Sequence, residues 1–426
     1  MLQAIDQIFI TIGSWFSNFL VNTLGLSTQF AGLIGILLQA IVVCTFAAVT
    51  FLALTYTERK VIARVQDRVG PNRAGPFGLL QPIADAIKMF TKEQTVPDVA
   101  DKLVFHIAPI FAAAPALMLF AVIPFGEDMV AADLDVGIIY IIALGSIAEI
   151  AILMGGWASR NKYSLLGAMR AVAQMISYEI PLVLSFMGLI IITGSLRLND
   201  MVIAQVVPFI LLQPVAFLIF VTAAAAETGR SPFDIMEAES ELIAGFHTEY
   251  AGMQFGLFQM GEFLGFYGQA CIMATLFFGG WQGPEIVPSW MWFWLKSWLG
   301  VFIFQWAFRS TFPRLRVDQL QAFCWKFLVP AAVLNLLVTA IVVKIVPIVS
   351  WSNGILEPIG GQLFGLPLGL DWLVVTVVYL AANALTVVIL AVLYRGEVRR
   401  TVEQFEVNQL SAEANSPRME REAVAV

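Results

Sequence analysis

Glu149, Glu179 and Glu262 each stand inside a long apolar window of the chain, where an ionised carboxylate is expensive and is kept only with a partner or a water-filled path. At a rise of about 1.5 Å per residue, Glu149 and Glu179 lie about 12 Å and Glu262 about 17 Å from the charged ends of their windows. Acids at such depth suit the holding and passing of protons. For any one of them, a neutral glutamic acid bonded to a neighbouring helix is the structural alternative. A second cluster is "AETGRSPFDIMEAESELIAGFHTEY", Ala226 to Tyr250, which puts Glu227, Asp234, Glu237, Glu239, Glu241 and Glu249 around Arg230. Carboxylates crowded among aromatic and aliphatic residues repel one another and bind protons more readily. A solvated acidic loop is the plainer explanation.

The third cluster is "ERKVIARVQDRVGPNRAGPFGLLQPIADAIKMFTKE", Glu58 to Glu93. Arg59, Lys60, Arg64, Arg68 and Arg73 could grip lipid headgroups as a positive-inside anchor. The interleaved Glu58, Asp67, Asp85 and Glu93 weaken that attraction and suit a structured surface for a charged protein partner. Gly70-Pro71, Gly75-Pro76 and Gly78 forbid a continuous helix in the first part. In the second part Leu79, Leu80, Ile83, Ile87 and Phe90 form an apolar stripe opposite Gln81, Asp85, Lys88 and Lys92, which predicts an amphipathic helix along the membrane surface.

The elements that position these groups are set by composition. The 426 residues are 59% hydrophobic and 13% charged, with mean hydropathy +0.81, so the chain is expected to be an all-α integral membrane protein. Windows long enough to cross a bilayer, which takes about 20 residues, fall near residues 30–56, 103–124, 137–157, 171–193, 202–226, 251–280, 288–308, 327–349 and 371–394, nine spans in all. Residues 1–29 read as a surface helix, with Phe9, Ile12, Phe16 and Leu20 near helical spacing. The expected organisation is this helix, an eight-helix membrane domain over 30–349, an outer loop and ninth helix over 350–394, and a mobile tail over 395–426.

Lys and Arg set the orientation. With inner segments at 57–102, 158–170, 227–250, 309–326 and from 395, only Arg197, Lys296 and Lys344 of the 24 basic residues fall outside or within a span. The C-terminus is then cytoplasmic and the N-terminus on the outer side. The acidic "FGEDMVAADLDV" and the Trp281, Trp290, Trp292, Trp294 and Trp298 belt belong at the outer boundary. Lys296 and Lys344 read as snorkelling side chains, and His106 and His247 as hydrogen-bonding residues at helix ends or loops. The N-terminus shows no basic n-region and is expected to be retained.

Composition also excludes some chemistry. A net charge of −7 argues against nucleic acid as a partner. Cys44, Cys271 and Cys324 are scattered, and with two histidines the sequence offers no pattern for a metal, haem or Fe–S site.

The Glu58 to Glu93 stretch, "GGWASRNKYSLLGAMRAVAQMISYE" (Gly155 to Glu179), the acidic loop and "RSTFPRLRVDQLQAFCWKFLVPAAVLN" (Arg309 to Asn335) stand in an order that closely resembles the H-subunit family of proton-pumping NADH:quinone oxidoreductase, respiratory complex I, over roughly residues 30–349. The resemblance implies a bacterial cell-membrane protein that supplies the membrane side of a quinone chamber. It binds ubiquinone or menaquinone and no metal, flavin or Fe–S cluster itself. The implied partners are the Fe–S-carrying B subunit, the D or C/D subunit of the quinone site, the I subunit, the A, J and K membrane subunits, and membrane lipids. On the same basis Arg59, Arg68, Phe77 and Asp85 belong to the quinone entrance. Arg230, Asp234, Glu237, Glu239, Glu241 and Glu249 belong to the acidic loop facing the chamber, as does Glu227. Glu179, Glu227 and Glu262, with Tyr163 and Arg170, belong to the path coupling quinone reduction to proton movement.

Two departures stand out. Glu149 is not assigned to a position of the family pattern, so its role rests on depth alone. The ninth span and tail exceed the eight-helix form and point to a bacterial, actinobacterial-like branch. A stand-alone ion-coupled transporter would use similar acids but should show inverted repeats and a midplane substrate site. A membrane anchor of a hydrogenase-like complex would share the acids and reduce no quinone.

Overall fold

A computed structural model describes residue 15 and residues 28–127, 129–230, 232–235, 243–284, 286–303, 309–311, 313–352, 355–358, 372 and 374–395. Helices dominate: α1 (Thr28–Val65), α2 (Gln81–Thr91), α3 (Lys102–Leu119), α4 (Gly137–Ala158), α5 (Lys162–Thr193), α6 (Leu198–Ile203), α7 (Phe209–Leu212), α8 (Pro214–Glu227), α9 (Gly252–Phe277), α10 (Ser289–Val301), α11 (Val317–Phe323) and α12 (Val329–Ile345). A five-residue π-helix, Cys324–Leu328, joins α11 to α12. A short antiparallel hairpin pairs Val349–Ser352 with Ile355–Pro358, and α13 spans Val374–Arg395.

Six of these segments are long and apolar enough to cross a bilayer: α1, α3, α4, α5, the continuous run Val317–Ile345, and α13. The other expected windows hold α8 with 14 residues, α9 with 26 and α10 with 13. This is a polytopic helical membrane protein. Of the surface helix expected over residues 1–29, only residue 15 and residues 28 and 29, where α1 already begins, are described, and the tail after 395 lies outside the described residues. The expected amphipathic helix is α2, whose Ile83, Ile87 and Phe90 are exposed along one side.

Several boundaries differ from the sequence expectation; the helical run expected from 327 begins at Val317, and three more differences bear on the site. α1 does not stop at 56 but continues through Glu58, Arg59, Lys60 and Arg64, because these are good helix formers and their heads can reach water from a turn beyond the bilayer. α5 begins at Lys162, not 171, so the expected inner segment 158–170 is mostly helix. Asn161 caps it by accepting the Tyr163 amide proton at 2.9 Å. The window 202–226 is not one helix but three pieces. Pro208 precedes α7 and Pro214 opens α8, and Gln213 between them leaves the helical region at φ −133° and ψ 58°, since a proline disfavours the α conformation in the residue before it.

α4 packs between α3 and α5, α9 packs against α3 and α10, and α5 also holds α8 and α12. Small residues allow the close contacts. A Cβ on Gly261 of α9 would sit 2.6 Å from the Ala112 carbonyl oxygen of α3. The core between the helices is aromatic, with Phe120, Phe186, Phe220, Phe266, Tyr267 and Phe277 fully buried. Long-range bonds also sort the loops by side. Arg197 pairs with Asp133 and the Glu127 amide donates to Ser289 Oγ at 3.3 Å, joining segments expected outside, while Arg309 pairs with Glu58, joining segments expected inside.

Candidate functional site

α8 ends at Glu227, and Gly229 turns the chain at a positive φ of 62°, a conformation glycine adopts without a Cβ clash. Gln174 of α5 fixes this turn by donating to the Ala226 and Phe233 carbonyls at 2.6 and 2.8 Å. Arg230 is thereby delivered between three elements. Its Nη1 lies 3.2 Å from Glu58 of α1 and its Nη2 3.1 Å from Glu262 of α9, and Arg309 pairs with the same Glu58 oxygen. The guanidinium stands 4.6 Å from the Phe263 ring centre and 5.7 Å from that of Phe266. With the Arg230 and Glu58 side chains each 8% exposed, this is a buried charge cluster, in which a planar fork can hold two carboxylates at once.

Two cavities meet at Glu262. The larger, about 960 Å³, opens among α1, the loop after it and the acidic loop, and its lining includes Phe51, Glu58, Arg59, Arg68, Arg230, His247, Phe255 and Arg309 as well as Glu262. Its size falls within the range of organic-ligand pockets, roughly 300–1,000 Å³. The smaller, about 130 Å³, lies deeper and is mostly apolar, with Glu227, Gln269 and Glu262 among its polar lining. Gln269 donates to Glu227 Oε2 at 3.0 Å.

Beyond the small cavity α4 organises the remaining acids. A Cβ on its Gly145 would stand 3.5 Å from Glu227 Oε1, and its Ser146 donates to Glu179 Oε1 at 2.9 Å. One turn on, Glu149 is buried at 7% exposure and lies within electrostatic reach of both Glu179 and Glu227. Glu262 and Glu227 thus share the small cavity, and Glu149 and Glu179 stand within electrostatic reach of Glu227 as the rest of an acid row.

Of the expected entrance residues, Arg59 and Arg68 line the large cavity, whereas Asp85 is not in its lining and Phe77 lines a separate cavity with Arg68. Asp85 of α2 pairs with Arg59 and lies 3.5 Å from Lys88. Burial would raise its pKa, but the hydrogen bond and charge of Arg59, with help from Lys88, hold it below the usual carboxylate value. Arg68 Nε donates to Gln66 at 2.7 Å. Phe77 is 78% exposed and strained, at φ 55°, and the Tyr56 hydroxyl donates to its carbonyl at 3.1 Å. Gly78 next to it has φ 80°, and a Cβ there would lie 2.1 Å from the Pro71 carbonyl oxygen, so only glycine permits this fold of the loop. His247, packed edge-on against Phe246 and Phe255, has its pKa pushed down by burial to about 4 and is neutral at physiological pH.

Not every expected residue joins this site. Tyr163 is exposed on α5, where only its backbone amide serves as a capping donor, and Arg170 is half-buried on the same helix. Glu249 accepts from Asn161 Nδ2 at 2.6 Å and so ties the acidic loop to the start of α5. Asp234 is half-buried just after Phe233. Glu237, Glu239 and Glu241 lie outside the described residues.

Similarity to known proteins bears on this geometry. A family model described as NADH dehydrogenase matches residues 38–340. The chain belongs to that family. It is 53% identical over 314 residues to the H subunit of the NADH-quinone oxidoreductase of Dehalococcoides mccartyi (strain CBDB1), covering 74% of this chain and 88% of the relative. It is also 51% identical over 315 residues to the H 2 subunit of the same enzyme from Geobacter sulfurreducens, covering 72% and 94%, and 48% identical over 343 residues to the H subunit from Bacillus cytotoxicus, covering 79% and 98%. The whole acid row, both cavities and the Arg230 cluster fall within the family-matched residues.

The sequence did not single out Glu58, Arg309, Gln269 or Ser146 as site residues. Glu58 and Arg309 were visible only as members of charged stretches. Gln269 carried a signal of its own, an amide inside the apolar window of α9, where a polar side chain needs a partner.

Proposed function

We propose that the chain is the membrane subunit of a proton-translocating NADH:quinone oxidoreductase, forming the membrane side of the quinone chamber and coupling quinone reduction to proton translocation. The observation that carries this reading is Glu262, which lines both the large cavity and the small one and is ion-paired to Arg230 between them. A quinone headgroup entering the large cavity takes up a pair of electrons from the Fe–S centre of a partner protein and a pair of protons to become a quinol. The charge that develops there acts on the Arg230 fork, and a change in its hold on Glu262 alters the proton affinity of the neighbouring acids by direct electrostatics. Glu227, Glu179 and Glu149 are then the groups that take up and pass on protons in the row behind.

Arg59, Asp85, Arg68 and Phe77 shape the entrance in this proposal, and the 57–102 loop faces the electron-delivering arm, formed by the B, D or C/D, and I subunits. The A, J and K subunits pack on the membrane helices, and the C-terminus is cytoplasmic.

Purification in mild detergent, with protein identification and mass analysis of bound quinone, tests this directly. Copurification of NADH-oxidising and Fe–S subunits with ubiquinone or menaquinone is expected. A hydrogenase-type partner set without quinone, or a chain purifying alone with transport activity, would overturn it.

A further inference from the structure

The break in the helix that carries Glu227 is held from outside the family-matched part of the chain. Pro214 has no amide proton to give and, with the non-helical Gln213, leaves the Leu212 carbonyl and the Val215 amide without helical partners. Both are met by one side chain of α13: Asn383 Nδ2 donates to Leu212 O at 2.8 Å, and Val215 N donates to Asn383 Oδ1 at 3.4 Å. Asn383 is 4% exposed, and its Nδ2 is further braced by the Tyr379 carbonyl at 2.8 Å. Only a group with both a donor and an acceptor can serve the two ends, and in hydrocarbon nothing else would. On the other flank, Gln213 bonds Thr339 and Asn335 of α12. The family match ends at residue 340, so α12 supplies the family's share of the support and α13 the remainder.

From this anchored end α8 runs 14 residues to Glu227, about 20 Å at helical rise, with Arg230 one turn further. We propose that Asn383 is a positioning residue: by closing the break at Pro214, α13 fixes the axial position of α8 and so the placement of Glu227 against Gln269 and of Arg230 between Glu58 and Glu262. This rests on the proton-handling reading of Glu227. A rigid helix transmits a shift at one end to the other, and displacement of a working group by about 1 Å can cost up to about a hundredfold in rate.

The test uses the assembled complex and normalises turnover to its amount. Asn383→Ala is expected to lower quinone reductase turnover per assembled complex about tenfold or more, while NADH oxidation by a water-soluble artificial acceptor is unchanged. Tyr379→Phe is the control, because it removes the other buried α13 bond, from the Tyr379 hydroxyl to Val346 O at 3.0 Å, without touching the break. It is expected to lower the yield of complex and leave turnover per complex as in wild type. Should Asn383→Ala not assemble, Asn383→Leu, which fits a membrane helix and fills the space but offers neither donor nor acceptor, is expected to show the same loss of turnover. Wild-type turnover per complex in whichever variant assembles would make Asn383 a packing residue and overturn the inference. Glu227→Gln separates the two readings. If it turns over normally, the proton reading falls and this inference with it; if it is impaired beside a normal Asn383→Ala, this inference alone falls.

Discussion

The Arg230 cluster and the Pro214 break both bury polar groups among the helices, and they solve the problem with different chemistry. At the break the partners are amides and a hydroxyl, Gln213, Asn335, Thr339 and Asn383, which satisfy backbone and one another without any net charge. At the Arg230 cluster they are two arginines and two carboxylates, an arrangement that often costs more in desolvation than it returns in attraction. A chain that has neutral amides available for architecture keeps ions where charge itself is used. The difference separates a hinge that must hold still from a site whose electrostatics must respond.

Arg230→Ala should do the greatest damage, because it leaves Glu58 and Glu262 facing each other without the fork. Removing one partner of a buried charge set costs about 3–5 kcal/mol, so a steep drop in assembled complex and in its thermal midpoint is expected. Normal yield would mean that the cluster is hydrated and not buried. Next in size is Glu179→Gln, which keeps the Ser146 bond but cannot ionise. A complex that assembles normally with quinone reductase activity reduced about a hundredfold is expected, and near-normal activity would return Glu179 to a packing role.

His247 should give a smaller, pH-dependent effect. Its pKa is about 4 in the folded protein against an ordinary 6.5, so the unfolded chain binds the proton more readily. Its contribution is complete above about pH 6.5 and is lost as pH falls from there toward 4. Thermal unfolding measured across that window should flatten in His247→Gln. The least effect belongs to Arg59→Lys at the half-exposed pair with Asp85, worth about 0.2–1 kcal/mol. Asp85 is held below its ordinary pKa, so its share of stability is present at neutral pH and disappears only as pH falls through that lowered value. Partial rescue of entrance function by lysine is expected, and full rescue would favour headgroup anchoring.

Much of this was legible because hydrocarbon constrains sequence strongly. The windows containing α1, α3, α4, α5 and α13 were readable from length and apolar content alone, and α2 from its stripe. Span boundaries were not, since Lys and Arg stems allow α1 and α5 to run well past their apolar windows. The break at 208–214 was hidden as well, because prolines are tolerated in membrane helices and the amides that compensate come from residues 335 and 383, far along the chain. The acids were visible as isolated charges. That Glu58 and Arg309 complete the cluster with Arg230 and Glu262 depends on contacts across 251 residues of sequence, which spacing does not encode.

Proton translocation by a Glu227→Gln complex in sealed vesicles, normalised to assembled enzyme, tests the role of the acid row most directly. Glutamine can still accept the Gln269 bond, so the fold is preserved while the titrating group is lost. The expected result is full assembly, unchanged NADH oxidation by an artificial acceptor, and quinone reduction and pumping that fall together by about a hundredfold. Pumping at the wild-type rate would contradict the assignment and leave the row of carboxylates as architecture.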